Sequence, residues 1–496
     1  MKSIDKFLTY KSDIFKIYTH AVKSVGPDRL MPNSIKLTCD KLLIQCHLRG
    51  ARNEDLNYDV SNSRMHVIGG GKCVLAMANA LGCLVKQANL QHKFGAGSLS
   101  IPIDLAGQYN ESDVESNLNA IKVKCLPGSK NNLPDFGSVE ATQRILETIS
   151  EVCDIDRRAN LDSFFLVLLS GGGSACLTKP KYISLERKLE LVKNLVQRGA
   201  NIIELNKVRR YYSHVKGGQL AKHILKCNPK SKILTLIISD VVGDPLDYIA
   251  SGPTFIEPTE AVGHSHRQQM LQVLDKYNLA GTIGGICDDQ EESMLDSQAG
   301  RDNVVHRIIG NNQIAIDCAL SKAEQLGYQV HVLDEPLMDS TDRAMLQLIS
   351  FSERISAPTR GKQLFIAGGE TTVKREPGET WGTGGRLQEL CVHYMLAGLS
   401  EPNEKGEFID LMLAGSTDGQ DGPTDAAGCR VSLFEYHHLR SMGGNDLFNR
   451  SDLLEAKRTH DSYSFWKNHA PSWLLKTGLT GTNVMDLLFY MKAYET

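Results

Sequence analysis

A single structural unit recurs along this 496-residue chain: a short apolar run leads into glycines or an acid, and a helical pattern follows. The apolar runs lie at residues 66–68, 164–169, 233–238, 304–309, 364–367 and 409–414. Unbroken apolar strands that alternate with helices are typical of a sheet that helices cover on both faces. The sequence therefore predicts an α/β fold, with ligands bound beyond the carboxyl ends of the strands.

The length is about three times that of a typical domain, which predicts two large domains. We place their boundary near Pro258, ahead of a polar stretch at residues 287–303. This gives an N-terminal domain of residues 1–258 and a C-terminal domain of residues 259–496. In this division, packing of the last residues of the chain against the first domain stays an alternative.

Charge and cysteine usage restrict the partners and the compartment. Lys and Arg number 55 against 58 Asp and Glu, a formal net charge of −3, which favours neither nucleic acid nor a membrane surface. The longest apolar runs are too short to span a bilayer. Scattered cysteines without a C-x-x-C pair indicate reduced thiols and a cytoplasmic location. The sequence leaves two questions open: whether a mitochondrial form exists, and whether the protein forms a homodimer.

The first glycine-rich loop is Gly69-Gly70-Gly71-Lys72. Its glycines allow the backbone to approach a ligand, and the amides at the start of the next helix favour an anion. We expect Lys72 in the first turn of that helix, where the helix dipole disfavours a cation, which suggests a phosphate or carboxylate partner. The spacing fits neither a Walker A loop nor a dinucleotide fingerprint. A tight turn with a solvated lysine is the alternative.

The second loop is Ser170-Gly171-Gly172-Gly173-Ser174. Its glycines can form a nest of amides for phosphate oxygens, and both serines add hydroxyl groups. Serine is also an ordinary helix N-cap, so a purely structural turn is the alternative.

Two charged segments follow. Arg209, Ser213 and Lys216 are spaced four and three residues apart, which places them on one face of a predicted helix. That face is either solvated or aimed at phosphate. Asp240 and Asp244 follow the strand at 233–238, where a carboxylate is well placed for Mg²⁺. The alternative is that these acids only stabilise a turn.

The second half of the chain has two candidate segments. Arg386 follows Gly382-Thr383-Gly384-Gly385 at a predicted helix start, and its planar guanidinium suits a carboxylate. Asp418, Asp421 and Asp425 lie among glycines after a strand, which favours a metal ligand or a catalytic base. The alternative is that these acids are cap and turn residues.

Taken in order, these segments resemble the class II glycerate 2-kinases, whose C-terminal domain is of the MOFRL type. The matching stretches are 69–72, 169–174, 206–218, 238–244, 251–254, 368–372, 382–389 and 415–428. At residues 128–135 the chain reads GSKNNLPD, without the histidine of many bacterial members. The resemblance is therefore to the animal branch of the family.

The resemblance implies transfer of the γ-phosphate of ATP to the 2-hydroxyl of D-glycerate, with ATP and Mg²⁺ as cofactors. It also implies two α/β domains, the first Rossmann-like with a mainly parallel sheet, and an active site in the cleft between them. By motif position, Lys72 matches the active-site lysine and Arg386 the substrate-binding arginine. Asp418 is the candidate base.

Two other classes of function compete with a kinase. A nicotinamide-dependent oxidoreductase or a sugar-phosphate isomerase could use a similar sheet. The sequence has no G-x-G-x-x-G loop, which disfavours the nicotinamide-dependent enzyme. A non-catalytic ligand sensor could keep the binding residues but would not need a base.

Overall fold

The computed structural model describes residues 2–45, 55–109, 111–130, 133–257, 266–279, 301–355, 361–374, 381–399, 408–443 and 447–494. The chain divides into two compact units. The first unit comprises residues 27–310, and the second unit comprises residues 1–26 together with 311–496. Each unit has its own main sheet and its own hydrophobic core.

Helix α1 (Lys2–Ser24) opens the chain and belongs to the second unit. The described strands of the first unit are β1 (Ile35–Leu37), β2 (Lys41–Ile44), β3 (Leu56–Asp59), β4 (Ser63–Gly70), β5 (Gly97–Pro102), β6 (Val123–Gly128), β7 (Asp162–Ser170), β8 (Lys232–Ile238) and β9 (Val304–Gly310). Its described helices are α2 (Pro27–Ser34), α3 (Val74–Gln87), α4 (Ala106–Tyr109), α5 (Ser112–Ala120), α6 (Phe136–Arg158), α7 (Gly173–Cys176), α8 (Leu185–Gln197), α9 (Ile202–Tyr211), α10 (Gln219–Cys227) and α11 (His266–Lys276).

The main sheet of the first unit has the strand order β6-β5-β4-β7-β8-β9 among the described residues, and all neighbouring strands are parallel. The chain runs outward from β4 to β6 and then returns to place β7, β8 and β9 on the other side of β4. This is the order of a doubly wound Rossmann sheet, which confirms the predicted fold class. Such sheets bind ligands where the strand order reverses, here between the carboxyl ends of β4 and β7.

Strand β7 lies near the middle of this sheet and is buried at every position after Asp162. Helix α6 packs on the same core through Ile145, Ile149 and Val152, which are spaced four and three residues apart. Burial of each such side chain contributes roughly 1.5–3 kcal/mol. The rigid centre of the sheet therefore supports the loops that follow β4 and β7.

The second unit has a mixed sheet. Its described strands are β10 (Gln329–Val332), β11 (Lys362–Gly369), β12 (Phe408–Ser416), β13 (Gly428–Val431), β14 (Leu474–Leu475) and β15 (Asp486–Tyr494), in the order β10-β11-β15-β12-β13-β14. Only β10 and β11 are parallel among these described strands. Its further described helices are α12 (Asn312–Gln325), α13 (Thr341–Ile355), α14 (Arg386–Gly398), α15 (Leu433–Ser441), α16 (Arg450–Thr459) and α17 (Ser462–His469).

The units do not divide where the sequence suggested. Pro258 itself lies outside the described residues, and the units divide after Gly310. Strand β9 extends the first sheet by pairing with β8, which keeps the chain in the first unit well past residue 258. The C-terminal strand β15 pairs with both β11 and β12 in the second unit. No described helix is long and apolar enough to cross a membrane.

Candidate active site

The two predicted glycine loops meet at the reversal point of the first sheet. The backbone N–H of Lys72 donates to the carbonyl of Gly171 at 2.8 Å, and the N–H of Cys73 donates to Ser170 Oγ at 2.9 Å. Gly71 has φ +143°, and a Cβ at this position would overlap the Ser170 hydroxyl. The loops are therefore packed backbone against backbone, which requires glycine on the β4 side.

Lys72 differs in one respect from the sequence prediction. Helix α3 begins at Val74 with Cys73 as its N-cap, so Lys72 precedes the helix instead of lying in its first turn. Its side chain is half-buried at the carboxyl edge of the sheet. Lys72 is therefore not a cation within the first helical turn, and its position at the strand-order reversal supports the functional interpretation.

The serines of the second loop have different surroundings. Ser170 is fully buried, and its hydroxyl oxygen is used by Cys73. Ser174 lies in the short helix α7, where its carbonyl and hydroxyl oxygens accept hydrogen bonds from Lys216 Nζ at 2.6 and 3.0 Å. Between them, Gly172 has φ +77°, a conformation that favours glycine. Ser170 therefore has a structural partner, while Ser174 faces a basic residue, and phosphate binding by the two serines stays a prediction.

The predicted helix face of Arg209, Ser213 and Lys216 does not form. Helix α9 ends at Tyr211, and Ser213 Oγ accepts from the backbone N–H of Lys216 at 3.2 Å in the turn that follows. The prediction was wrong because the hydroxyl stabilises a turn in competition with the helix. Arg209 and Lys216 nevertheless line one pocket, since the turn folds back towards α7.

That pocket has a volume of about 270 Å³ and includes Gly172 and Ser174 in its lining. It also includes Lys188, which the sequence interpretation missed. Lys188 Nζ donates to the Tyr212 carbonyl at 2.7 Å, and burial, together with the charge of Arg209, lowers its pKa to about 7. Its position in the first turn of α8, after the Ser184 N-cap, was the available sequence signal.

Burial affects the two other basic groups of the pocket in the same direction. It lowers the pKa of Lys216 well below its ordinary range, and the charges of Lys188 and Arg209 add to the effect. Burial also lowers the pKa of Arg209. No acid is present among the described lining residues. The pocket is therefore a concentration of uncompensated basic groups.

Asp240 and Asp244 lie in the loop after β8, at the same carboxyl edge of the sheet. Both side chains are half-buried, and Asp244 adopts a left-handed conformation with φ +54° in a turn closed by its N–H and the Val241 carbonyl. The described residues contain no cluster of three or more metal-ligating side chains. A site here would thus offer one or two carboxylates.

In the second unit, Arg386 is the first residue of α14 and is paired with Asp486. Its Nε donates to Asp486 Oδ2 at 2.5 Å and its Nη2 to Oδ1 at 2.9 Å, while Nη1 lies 3.3 Å from Glu370 Oε1. Asp486 is fully buried, and burial raises its pKa to about 7 against the opposing charge of Arg386. The sequence interpretation missed Asp486, although an acid opens the last apolar run.

The three acids of the 416–425 segment have separate roles. Asp421 is fully buried and accepts from the backbone N–H groups of Leu387 and Gln388, which stabilises the start of α14. Asp425 is exposed and pairs with Lys476 at 2.8 Å. Asp418 is half-buried, and its Oδ1 accepts from Ser416 Oγ at 2.7 Å and from the Gln420 N–H at 2.9 Å. The structural alternative therefore holds for Asp421 and Asp425.

Comparison with known proteins gives consistent matches over nearly the whole chain. Residues 13–284 match the family described as domain of unknown function DUF4147, and residues 363–486 match the MOFRL family. A glycerate kinase of Danio rerio is 30% identical, with 95% of each chain covered. A glycerate 2-kinase of Pyrococcus horikoshii is also 30% identical, again with 95% of each chain covered. The crystal structure of a glycerate kinase from Thermotoga maritima aligns with a TM-score of 0.69 at 26% identity over 99% of each chain.

Proposed function

This chain belongs to the glycerate kinase family of DUF4147 and MOFRL proteins, and from that premise we propose that it transfers the γ-phosphate of ATP to the 2-hydroxyl of D-glycerate. The products are 2-phosphoglycerate and ADP. The observation that carries the proposal is the pair of glycine loops, with Lys72, at the strand-order reversal of a Rossmann sheet. The relatives reported above support neither an oxidoreductase or isomerase nor a ligand sensor.

The nucleotide phosphates are assigned to the two loops. Backbone amides at residues 171–173 and the hydroxyl of Ser174 are donors of the kind that bind phosphate oxygens, and Gly70 and Gly71 allow the backbone to approach. Lys72 offsets negative charge on the transferring phosphoryl group. Phosphoryl transfer depends mainly on positioning and on this kind of electrostatic stabilisation.

Asp240 and Asp244 fit a magnesium ion. Mg²⁺ is usually held by one or two carboxylates together with substrate phosphates, and these two half-buried acids follow β8 at the same edge of the sheet as the phosphate loops. When bound, the ion would neutralise charge on the phosphates.

Asp418 is assigned as the base for the substrate hydroxyl. The hydrogen bonds from Ser416 and Gln420 to one carboxylate oxygen orient the group, and its half-buried position is compatible with substrate access. Arg386 is assigned to charge stabilisation through Nη1. Its Nε and Nη2 are held by Asp486, which fixes the orientation of the guanidinium.

An ADP-release assay with the purified chain tests the proposal. We expect ADP release that requires both ATP and D-glycerate, with L-glycerate and glycerol as controls that give none. Separation of the product should give 2-phosphoglycerate. Formation of 3-phosphoglycerate would refute the assignment of the hydroxyl, and ADP release independent of D-glycerate would refute the reaction itself.

A further inference from the structure

Three basic side chains of the first unit converge on one pocket, which we call the cationic pocket: Lys188, Arg209 and Lys216. Lys188 and Lys216 are only 6% and 2% exposed. Within the described part of the chain, none of the three forms an ion pair, and the lining contains no acid. Burial without a counter-charge disfavours the protonated form of the two lysines, and an anion in the pocket would supply that counter-charge. The arrangement therefore indicates an anionic ligand.

The chemistry of the pocket favours a carboxylate with a short carbon skeleton. The guanidinium of Arg209 has no hydrogen-bond partner among the described residues, and its planar fork matches the two oxygens of a carboxylate. The remaining wall is mostly apolar and is formed by Leu133, Pro134, Leu185, Leu189 and Val192. A polyphosphate with its hydration shell would be poorly matched to such a wall, whereas carbon atoms are well matched.

Arg386, which the family resemblance links to the substrate, has the opposite surroundings. Its fork is occupied by Asp486, and Glu370 lies beside its remaining nitrogen. A carboxylate arriving there would meet two acids. The fork of Arg209 has no such competitor among the described residues.

We propose that the cationic pocket binds the carboxylate of the hydroxy-acid substrate through Lys188, Arg209 and Lys216. The inference rests on the proposed function, since it specifies where that substrate is held. It also reassigns Lys216 from the nucleotide to the acid. Because Lys216 Nζ bonds Ser174 in the phosphate loop, this places the acid next to the proposed phosphate site.

The test compares Arg209→Gln, Arg209→Lys and Lys188→Met with Lys193→Met, an exposed lysine on the same helix α8 as Lys188. Calorimetric titration with D-glycerate and, separately, with ATP measures each affinity without turnover. We expect Arg209→Gln and Lys188→Met to weaken D-glycerate binding at least tenfold and to change ATP affinity less than twofold. Arg209→Lys should weaken D-glycerate binding less than Arg209→Gln, and Lys193→Met should change neither affinity.

Two results overturn the proposal: a selective loss of ATP affinity in the Arg209 variants, or unchanged D-glycerate affinity in both Arg209→Gln and Lys188→Met. Arg209 is only half-buried and has no described partner, so its variants should fold even if Lys188→Met does not; circular dichroism checks this. If wild-type protein binds D-glycerate but releases no ADP, the proposed reaction fails while the pocket assignment is still tested by the titrations.

Discussion

Replacing Asp486 by asparagine removes the counter-charge of Arg386 while keeping the volume of the side chain. Removal of one partner of a buried ion pair typically costs about 3–5 kcal/mol. The cost should be smaller here, because the Arg386 side chain is 27% exposed and Glu370 stays 3.3 Å from its Nη1. Asparagine also relieves the burial of a carboxylate whose pKa is raised to about 7. We therefore expect Asp486→Asn to lower the free energy of unfolding by about 2 kcal/mol, at about pH 8, where the carboxylate is ionised.

Tryptophan fluorescence is a suitable probe, because the chain has 3 Trp and all lie in the second unit: Trp381, Trp466 and Trp473. Urea unfolding followed by this signal therefore reports on the unit that contains the ion pair. Asp425→Asn, which breaks an exposed pair with Lys476, is the matched control and should not change the transition measurably.

A double variant strengthens this test. Substitution of both partners, Arg386→Met with Asp486→Leu, should recover at least half of the loss, because no buried charge is then left unpaired. A loss below about 0.5 kcal/mol in Asp486→Asn, or the same loss in Asp425→Asn, would refute the reasoning that this pair stabilises the unit.

Four further predictions follow from the two units. Lys72→Met should lower kcat at least about 100-fold, since it removes charge stabilisation of the transferring phosphoryl group; near-normal turnover would exclude Lys72 as a catalytic residue. Asp418→Asn should lower kcat by about 10²–10⁴ and leave the KM for ATP unchanged in steady-state assays. Gly71→Ala should destabilise the first unit by more than about 1 kcal/mol in urea unfolding monitored by circular dichroism, because its Cβ overlaps Ser170. The pKa of Lys188 is lowered from 10.5 to about 7 on folding, so the unfolded chain binds more protons between these values. Stability should therefore rise with pH across that window, and Lys188→Met should flatten the rise.

The sequence was sufficient to predict the first sheet because its signals are local. Each strand of the 66–68, 164–169 and 233–238 runs is buried on both faces, and a loop rich in glycine or acid follows each of them. Local signals also predicted the two glycine loops, which meet at the edge of the sheet, whereas the role of Lys72 stays a prediction. The strand order itself depends on the pairing of β4 with β7. These strands are about a hundred residues apart in the chain, and neither apolar run indicates which strand it pairs with.

The second sheet shows that local patterns do not specify the direction in which strands pair. The apolar runs of β11 and β12 resemble those of the first sheet, yet both strands pair antiparallel with β15 from the C-terminus. An apolar run does not specify the direction of its neighbours, and this is why the antiparallel pairing of the C-terminal strand was not predicted. The same pairing brings Asp486 opposite Gly369 and Ser416, next to the segments that contain Glu370 and Asp418. The pairing of this acid with Arg386 could therefore be found only from the tertiary structure.

Basic residues near helix starts show the same division between local and non-local information. Lys188, like Arg386, lies in a first helical turn, where the backbone dipole disfavours a cation. Position alone makes both of them candidates for anion binding. The fold separates them, since Arg386 is neutralised by a buried carboxylate and Lys188 shares a pocket with two other basic groups and no acid among the described residues. A small anionic substrate is attracted more strongly by Lys188, which has no counter-charge among the described residues, than by Arg386. We therefore expect the cationic pocket to determine the affinity of the protein for its hydroxy-acid substrate.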